Sequence, residues 1–221
     1  FGRVYLARDR FIGNRLVEIR HVTSIVAKGD VHRYFHDAFR VGSTGSPFLT
    51  TALGAGGLDE GTPYLVSTPA PGITLRAHLD THGKMDPDAA LALADGLLAG
   101  LEAAHARGVY HRQLTPSDVI LLNVPGAQGH VKLTDFGAFR LFDCGEATSS
   151  ASASLRVAGD SHLSPERLHS AATDARADLY GVASILFEAL TGELAYVLVS
   201  EDTTGIRSRL ALRWARPSPQ S

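Results

Sequence analysis

The sequence predicts an α+β chain in two parts, a small β-rich N-terminal segment followed by a larger helical one. Three observations predict it. Short runs rich in Val, Leu, Ile, Phe and Tyr, at Arg3–Arg8, Leu16–Val22, Phe48–Leu53 and Tyr64–Ser67, read as strands. Pro69-Ala70-Pro71-Gly72 then makes a bend at which the pattern changes. Beyond it helical periodicity takes over, with Leu91, Ala94, Leu98, Leu101 and His105 spaced along one face and a second apolar helix over Leu179–Leu190.

Taken in order, the strand segment is interrupted once by a helix over Val31–Val41, where Tyr34, Phe35, Ala38 and Phe39 recur at helical spacing and Gly42 supplies the stop. Gly56–Gly61 reads as a hairpin loop between the last two strands. In the helical part, Asp86-Pro87 is an N-cap and first-turn pair and Gly108 ends the helix that follows. Val119–Leu122 and Val131–Thr134 are two further short strands, joined by the turn-forming stretch Asn123–Gly129. Thr148–Ser154 is a Ser/Ala tract, expected to be a mobile loop. The boundaries this implies are 1–67 for the β-rich lobe, 68–72 for a hinge, 73–192 for the helical lobe and 193–221 for a short atypical tail.

Composition excludes several function classes. With 44% apolar and 20% charged residues the 221-residue chain is an ordinary globular one, and a net charge of −2 gives no reason to expect nucleic acid or anionic membrane as partners. The longest apolar stretch, Leu179–Val199, is interrupted by Glu188 and Glu193, which suits a buried helix better than a membrane span. Cys144 is alone, so no internal disulfide forms; a reducing, cytoplasmic setting is expected. No His/Cys group has zinc-ligand spacing and no Ser-His-Asp triad can be argued. Lysine is confined to Lys28, Lys84 and Lys132.

Four landmarks stand in order: Phe1-Gly2-Arg3-Val4-Tyr5-Leu6-Ala7, His111-Arg112-Gln113-Leu114-Thr115-Pro116-Ser117-Asp118, Asp135-Phe136-Gly137 and Ser164-Pro165-Glu166. They resemble the protein-kinase signature set, namely the end of the glycine-rich loop, the catalytic loop, the metal-binding DFG and the close of the activation segment. Asp178-Leu179-Tyr180-Gly181, followed by an apolar helix, resembles the central helix of the large lobe. The likeness is to bacterial serine/threonine kinases and runs from Phe1 to about Gly192. It implies the two-lobed kinase fold. It also implies an ATP site, with Gly2 and Val4 above the nucleotide, Ile120 below it, Ser67 as gatekeeper and the Thr68–Ala70 backbone as hinge.

The same resemblance exposes departures where phosphoryl transfer needs specific groups. Gln113 stands at the proton-accepting aspartate, and a neutral amide is no useful base near neutral pH. Thr115 replaces the loop lysine that steadies the transferred group, and Arg20 replaces the strand lysine that holds the α/β-phosphates. Asp37 aligns with the helix acid that pairs with that lysine, so an Arg20–Asp37 bridge is expected. Asp118 replaces the magnesium-binding asparagine: with Asp135 it makes a two-carboxylate metal site, or it merely caps the loop backbone. Glu18 stands where the family has a small alanine against adenine, and either intrudes there or turns out to solvent. His111 and Asp178 match a pair that supports the catalytic-loop backbone.

The function these features imply is a catalytically impaired kinase-like domain, a pseudokinase with a scaffolding or allosteric role, binding ATP and magnesium weakly or not at all. The enzymatic alternatives are an active or weakly active serine/threonine kinase and a kinase-like AMP transferase. The first glycines of the phosphate loop and the later helices of the large lobe are missing from the sequence, which points to a fragment or to a degenerate gene. Uncovered apolar faces on the Leu91–His105 and Leu179–Leu190 helices are then expected: in a whole protein their counterpart is a partner protein, a kinase or a second copy of this chain, and in a fragment they are a product of truncation.

Overall fold

Pairing of the first strands builds an antiparallel sheet. A computed structural model describes residues 2–22, 28–58, 62–123, 131–138, 161–168, 173–195, 197–199 and 209–211. Cys144 and the Thr148–Ser154 tract lie outside them. β1 (Gly2–Asp9) and β2 (Arg15–Val22) pair as a hairpin, whose turn is fastened by the Asp9 carboxylate accepting from the N–H groups of Phe11 and Ile12. β3 (Ala52–Gly57) and β4 (Pro63–Ser67) complete a sheet of order β1-β2-β4-β3. Between β2 and β3 runs α1 (Lys28–Gly42), which buries Tyr34, Ala38 and Val41 and leaves Phe39, expected on the same face, exposed.

The third strand starts later than the sequence predicts, at Ala52 instead of Phe48. Phe48 and Leu49 are drawn into the other half of the molecule. The Leu133 N–H donates to the Phe48 carbonyl at 2.8 Å, the Thr50 N–H donates to the Leu133 carbonyl at 3.1 Å, and Leu49 is buried. This crossing ties the sheet to the helical half.

The helical half opens with β5 (Gly72–Thr74), α2 (Leu75–His82) and α3 (Pro87–His105). A 3₁₀ turn (Pro116–Asp118) leads to β6 (Val119–Leu122) and β7 (Val131–Leu133), which join β5 in a three-stranded sheet. α4 (Pro165–Leu168) and α5 (Ala175–Thr191) follow, then a small antiparallel pair of β8 (Val197–Val199) and β9 (Arg209–Ala211). Side chains cap three helices of this half, α2, α3 and α5: Thr74 accepts from the Ala77 N–H, Asp86 from that of Asp88 and Asp174 from that of Arg176. Each such cap is worth about 1 kcal/mol. Gly192, at φ 77°, ends α5 in the left-handed region that glycine enters without strain.

The buried face of α3 differs from the predicted one. Ala90, Leu93, Leu97, Leu101 and Ala104 are buried, whereas Leu91 is 66% and Leu98 43% exposed. Two leucine stripes compete on this helix, and glycines decide between them. A Cβ at Gly96 would lie 2.5 Å from the Val131 side chain, and one at Gly100 would lie 2.9 Å from that of Leu133. Only the glycine-bearing side can approach β7 and Phe48 so closely. α5 packs on α3 through Val182, Ile185 and Ala189, and its Leu179 and Leu190 stay exposed. Among the described residues no helix is long and apolar enough to cross a membrane.

Candidate functional site

The cleft between sheet and helices is organised around one guanidinium. Glu18 and Arg20 sit two apart on β2, hence on one face of the sheet, in register with Ser67 and Leu65 of β4. Arg20 Nη1 lies 2.8 Å from Asp135 Oδ2 and its Nη2 lies 3.5 Å from Glu18 Oε1. The three side chains are only 16%, 10% and 19% exposed for Arg20, Asp135 and Glu18 respectively. Burial works against the Arg20 charge, but Asp135, Tyr34 and Glu18 outweigh it and hold the guanidinium above its ordinary range. Burial also pushes the Glu18 carboxyl up; Arg20 partly offsets this and the Asp135 charge adds to it.

One expectation is corrected here: among the described residues the ion pairs of Arg20 are with Asp135 of the DFG tripeptide and with Glu18, not with Asp37. Asp37 is buried on α1 against Gly137, with its Cβ 3.0 Å from where a Gly137 side chain would begin and its carboxylate 3.7 Å from His36 Nδ1. Of the two expected positions for Glu18, the one turned out to solvent is not taken: its side chain is 19% exposed. It turns back toward Arg20 and lines a small pocket behind the buried Ser67, together with Tyr34, Leu65 and Phe136. A buried charge is costly unless paired, and Arg20 supplies the pairing for Glu18.

Below the cleft, Asp178 of α5 organises the catalytic-loop segment. Its carboxylate accepts from the backbone N–H groups of His111 at 2.9 Å and Arg112 at 2.6 Å, and from His105 Nε2 at 2.7 Å. These bonds hold Arg112 at φ 67°, and Asp135 stands at φ 62°, so both site segments carry a non-glycine residue in the left-handed region. The His111 ring does not meet Asp178. It donates through Nε2 to the Thr134 carbonyl at 3.0 Å and packs edge-on to Phe136, 4.9 Å between centroids. Gln113 follows, half-buried.

Thr115 and Asp118 act on each other. Both the N–H and the hydroxyl of Thr115 donate to Asp118 Oδ2 at 2.8 Å, and the Thr115 hydroxyl accepts from the Ser117 N–H, a reciprocal cap on the 3₁₀ turn. The carboxyl of Asp118 is desolvated, although the residue as a whole keeps some exposure, and that burial pushes its pKa up. Of the residues expected to flank a nucleotide, Val4 is half-exposed on β1 and Ile120 half-buried on β6. In the segment expected as the hinge, the Thr68 N–H donates to the Thr51 carbonyl at 2.9 Å and Ala70 is half-buried.

The family model described as protein kinase domain matches residues 47–215. The chain belongs to the protein kinase family. Among relatives, it is 28% identical over 197 residues to the probable serine/threonine-protein kinase PknB of Lactococcus lactis, covering 88% of this chain and 30% of that protein. It is 35% identical over 140 residues to the serine/threonine-protein kinase PknL of Mycobacterium tuberculosis, covering 63% of this chain and 33% of that one. The chain thus spans about a third of the length of these relatives. The kinase domain of Mycobacterium tuberculosis PknI superposes with a TM-score of 0.68 at 21% identity, over 88% of this chain and 71% of that one. Rad53 1–466 in complex with AMP-PNP superposes with a TM-score of 0.68 at 20% identity, over 91% of this chain and 47% of that one. The fold is therefore that of a kinase, a β-sheet lobe on a helical one.

Kinases hold a divalent cation through the DFG aspartate and the catalytic-loop position here occupied by Asp118. Asp135 and Asp118 are the carboxylates that would hold one here. Asp135 accepts from the Arg20 guanidinium through Oδ2, Asp118 accepts from Thr115 through Oδ2, and among the described residues no group of three or more His, Cys, Asp or Glu is placed to hold a metal.

Sequence reasoning missed two networks. One is His105, whose ring supplies the third bond to Asp178; its place among the apolar positions of α3 disguised it. The other joins α2 to α5. Arg76 forks onto Glu188 at 2.8 and 2.9 Å, and buried His162 donates to the same carboxylate at 2.9 Å. Burial alone would raise the Glu188 pKa, but the bonds from His162 and Arg76 win and hold it at about 2. A glutamate inside an apolar helix signals a partner; which one is set by the fold.

Proposed function

We propose that this kinase-family domain is impaired in phosphoryl transfer, and that it acts by binding another protein, a kinase or a second copy of this chain. The observation that carries the proposal is the state of the cleft's charged groups. Two carboxylates, Glu18 and Asp135, share the Arg20 guanidinium, and Gln113 stands at the base position. Arg20 is already matched to carboxylates, so it attracts phosphates poorly. Gln113 lacks a basic atom, which removes a contribution of about 10²–10⁴-fold in rate. Thr115, committed to Asp118, brings no positive charge to the phosphate path.

In this reading Val4 and Ile120 supply apolar surfaces above and below adenine, and Thr68–Ala70 the hinge backbone. Gly2, Arg20, Asp37 and Ser67 shape the site without charge to spare for a triphosphate. The exposed apolar side chains of α3 and α5, Leu91, Leu98, Leu179 and Leu190, support a protein partner. The second reading, an active serine/threonine kinase, draws on the names that the relatives carry.

Titration calorimetry with ATP separates them. Impairment predicts weak or undetectable binding that magnesium does not strengthen, and tighter binding after Glu18→Ala, which releases Arg20 toward the phosphates. Tight binding that requires magnesium, or weaker binding by Glu18→Ala, contradicts it.

A further inference from the structure

The last turn of α1 meets the end of α3 through two arginines and one serine. Arg40 Nη2 donates to the Arg107 carbonyl, Arg107 Nη1 donates to the Ser43 hydroxyl at 3.2 Å, and that hydroxyl donates to the Arg40 carbonyl at 2.8 Å. The bonds close on themselves and join the helix of the sheet lobe to the helical half. All three residues are exposed, and among the described residues neither guanidinium has a carboxylate within ion-pair distance. Two positive charges therefore converge on one hydroxyl with no negative charge to match them. The neighbouring hydroxyls are placed otherwise. Those of Thr44 and Ser46 belong to half-buried residues and accept from the N–H groups of Ser46 at 3.2 Å and Phe48 at 3.3 Å, which fastens the turn. Beside Ser43 the turn is open, since Gly45, at φ 69°, faces empty space where a side chain would begin.

We propose that Ser43 is a phosphorylation site whose phosphate is clasped by Arg40 and Arg107. The donor is ATP held by a separate, active serine/threonine kinase. The Ser43 oxygen bonds to the γ-phosphorus as the bond from that phosphorus to the β,γ-bridging oxygen breaks; ADP leaves, and the hydroxyl proton passes to that kinase's base. Arg40 stands three residues before the acceptor, a charge by which an arginine-directed kinase recognises the segment. A phosphoserine carries a charge of about −1.5 to −2, which two guanidiniums balance. Without them the modification is unfavourable, because the carbonyl end of a helix repels an anion. With them, the bonds of a neutral hydroxyl give way to charge-assisted ones. The clasp fixes α1, whose Tyr34 lines the pocket beside Arg20, against the end of α3. It uses none of the cleft's charged residues and does not depend on whether this domain transfers phosphate itself.

Two measurements test it. The full chain is incubated with ATP, magnesium and an arginine-directed serine/threonine kinase, and the modified residues are read by tandem mass spectrometry. Phosphate is expected on Ser43 ahead of Thr44 and Ser46, and Ser43→Ala should remove it from this segment. The clasp is read separately, in the full chain with phosphoserine incorporated at position 43 during synthesis. Its Tm should rise by about 2–4 °C, and phosphorus NMR should place the second pKa of the phosphate below its ordinary value of about 6. Arg40→Gln and Arg107→Gln should each reduce both effects. The phosphate pKa reports the charges around it even in a variant that has lost stability. A Ser43 left unmodified by the kinase, a Tm unchanged or lowered by the phosphoserine, or a phosphate pKa that neither arginine variant moves overturns the proposal.

Discussion

Replacing Arg20 by methionine should destabilise the fold in a way that depends on pH. The side chain keeps its bulk, but two mostly buried carboxylates lose their shared counter-charge. Breaking a buried ion pair by removing one partner costs about 3–5 kcal/mol. The contact with Asp135 is short at 2.8 Å, while Glu18 is farther at 3.5 Å and somewhat more exposed, which places the loss at the lower end, about 3 kcal/mol. For a chain of this size that is a fall of roughly 6–12 °C in Tm. The folded-state pKa of Glu18 is already raised by burial, and loss of Arg20 raises it further. A carboxyl with a raised folded pKa gives its full stability below its unfolded pKa and loses it as pH rises through the folded value. The gap between Arg20→Met and the unaltered chain should therefore be widest near pH 8 and narrow toward pH 5. Urea unfolding at the two pH values measures it, and a double-mutant cycle with Asp135→Asn should give a coupling of about 1–3 kcal/mol. A loss below about 1 kcal/mol, against the 3–5 typical of a broken buried pair, or one equal at both pH values, refutes the reasoning.

Two further perturbations test the helical half. Glu188 is held at about 2 against an ordinary 4.5, so its contribution is complete above 4.5 and disappears as pH falls toward 2. A shift of that size is worth about 3 kcal/mol, and Glu188→Gln should remove it and flatten acid unfolding in that window; an unchanged acid limb would show that the Arg76–Glu188–His162 network is not formed. Gly100→Leu forces a side chain against Leu133 and Phe48, where a Cβ alone would come within 2.9 Å, and should lower stability by about 1–3 kcal/mol or more. Unfolding no different from the parent chain would show that α3 packs by another face.

How much of this was legible in the sequence varies with the kind of signal. The start of α3 was plain, because Asp86-Pro87 is a local device that works wherever it stands, and the apolar run of α5 has a single reading. Even so, α5 begins at Ala175 and α1 at Lys28, ahead of the expected Leu179 and Val31, and α2 was not read as a helix. The buried face of α3 was not plain. Five leucines form two stripes, and the choice between them rests on Gly96 and Gly100, whose value appears only once Phe48, Val131 and Leu133 are known to lie opposite. Phe48–Leu53 resembled a strand because Phe and Leu are apolar in either lobe; composition does not say which core claims them. At the candidate site, the landmarks placed Arg20, Asp135, Gln113, Thr115 and Asp118 in one region. The direction of each side chain was beyond them. Arg20 chose Asp135 over Asp37 and Glu18 turned toward Arg20, outcomes of charge balance among residues far apart in the chain. Thr115 and Asp118, only three residues apart, form a cap that a close reading of the loop offered as one of two alternatives.

Phosphotransfer is the most direct test of impairment. The purified chain, incubated with γ-labelled ATP, magnesium or manganese and a generic protein substrate, should transfer no phosphate above the level of its Asp135→Ala variant. Gln113→Asp combined with Thr115→Lys should restore little, because Arg20 remains held between Glu18 and Asp135. Label incorporated by the unaltered chain and abolished by Asp135→Ala would contradict the account, and would make this domain a working kinase.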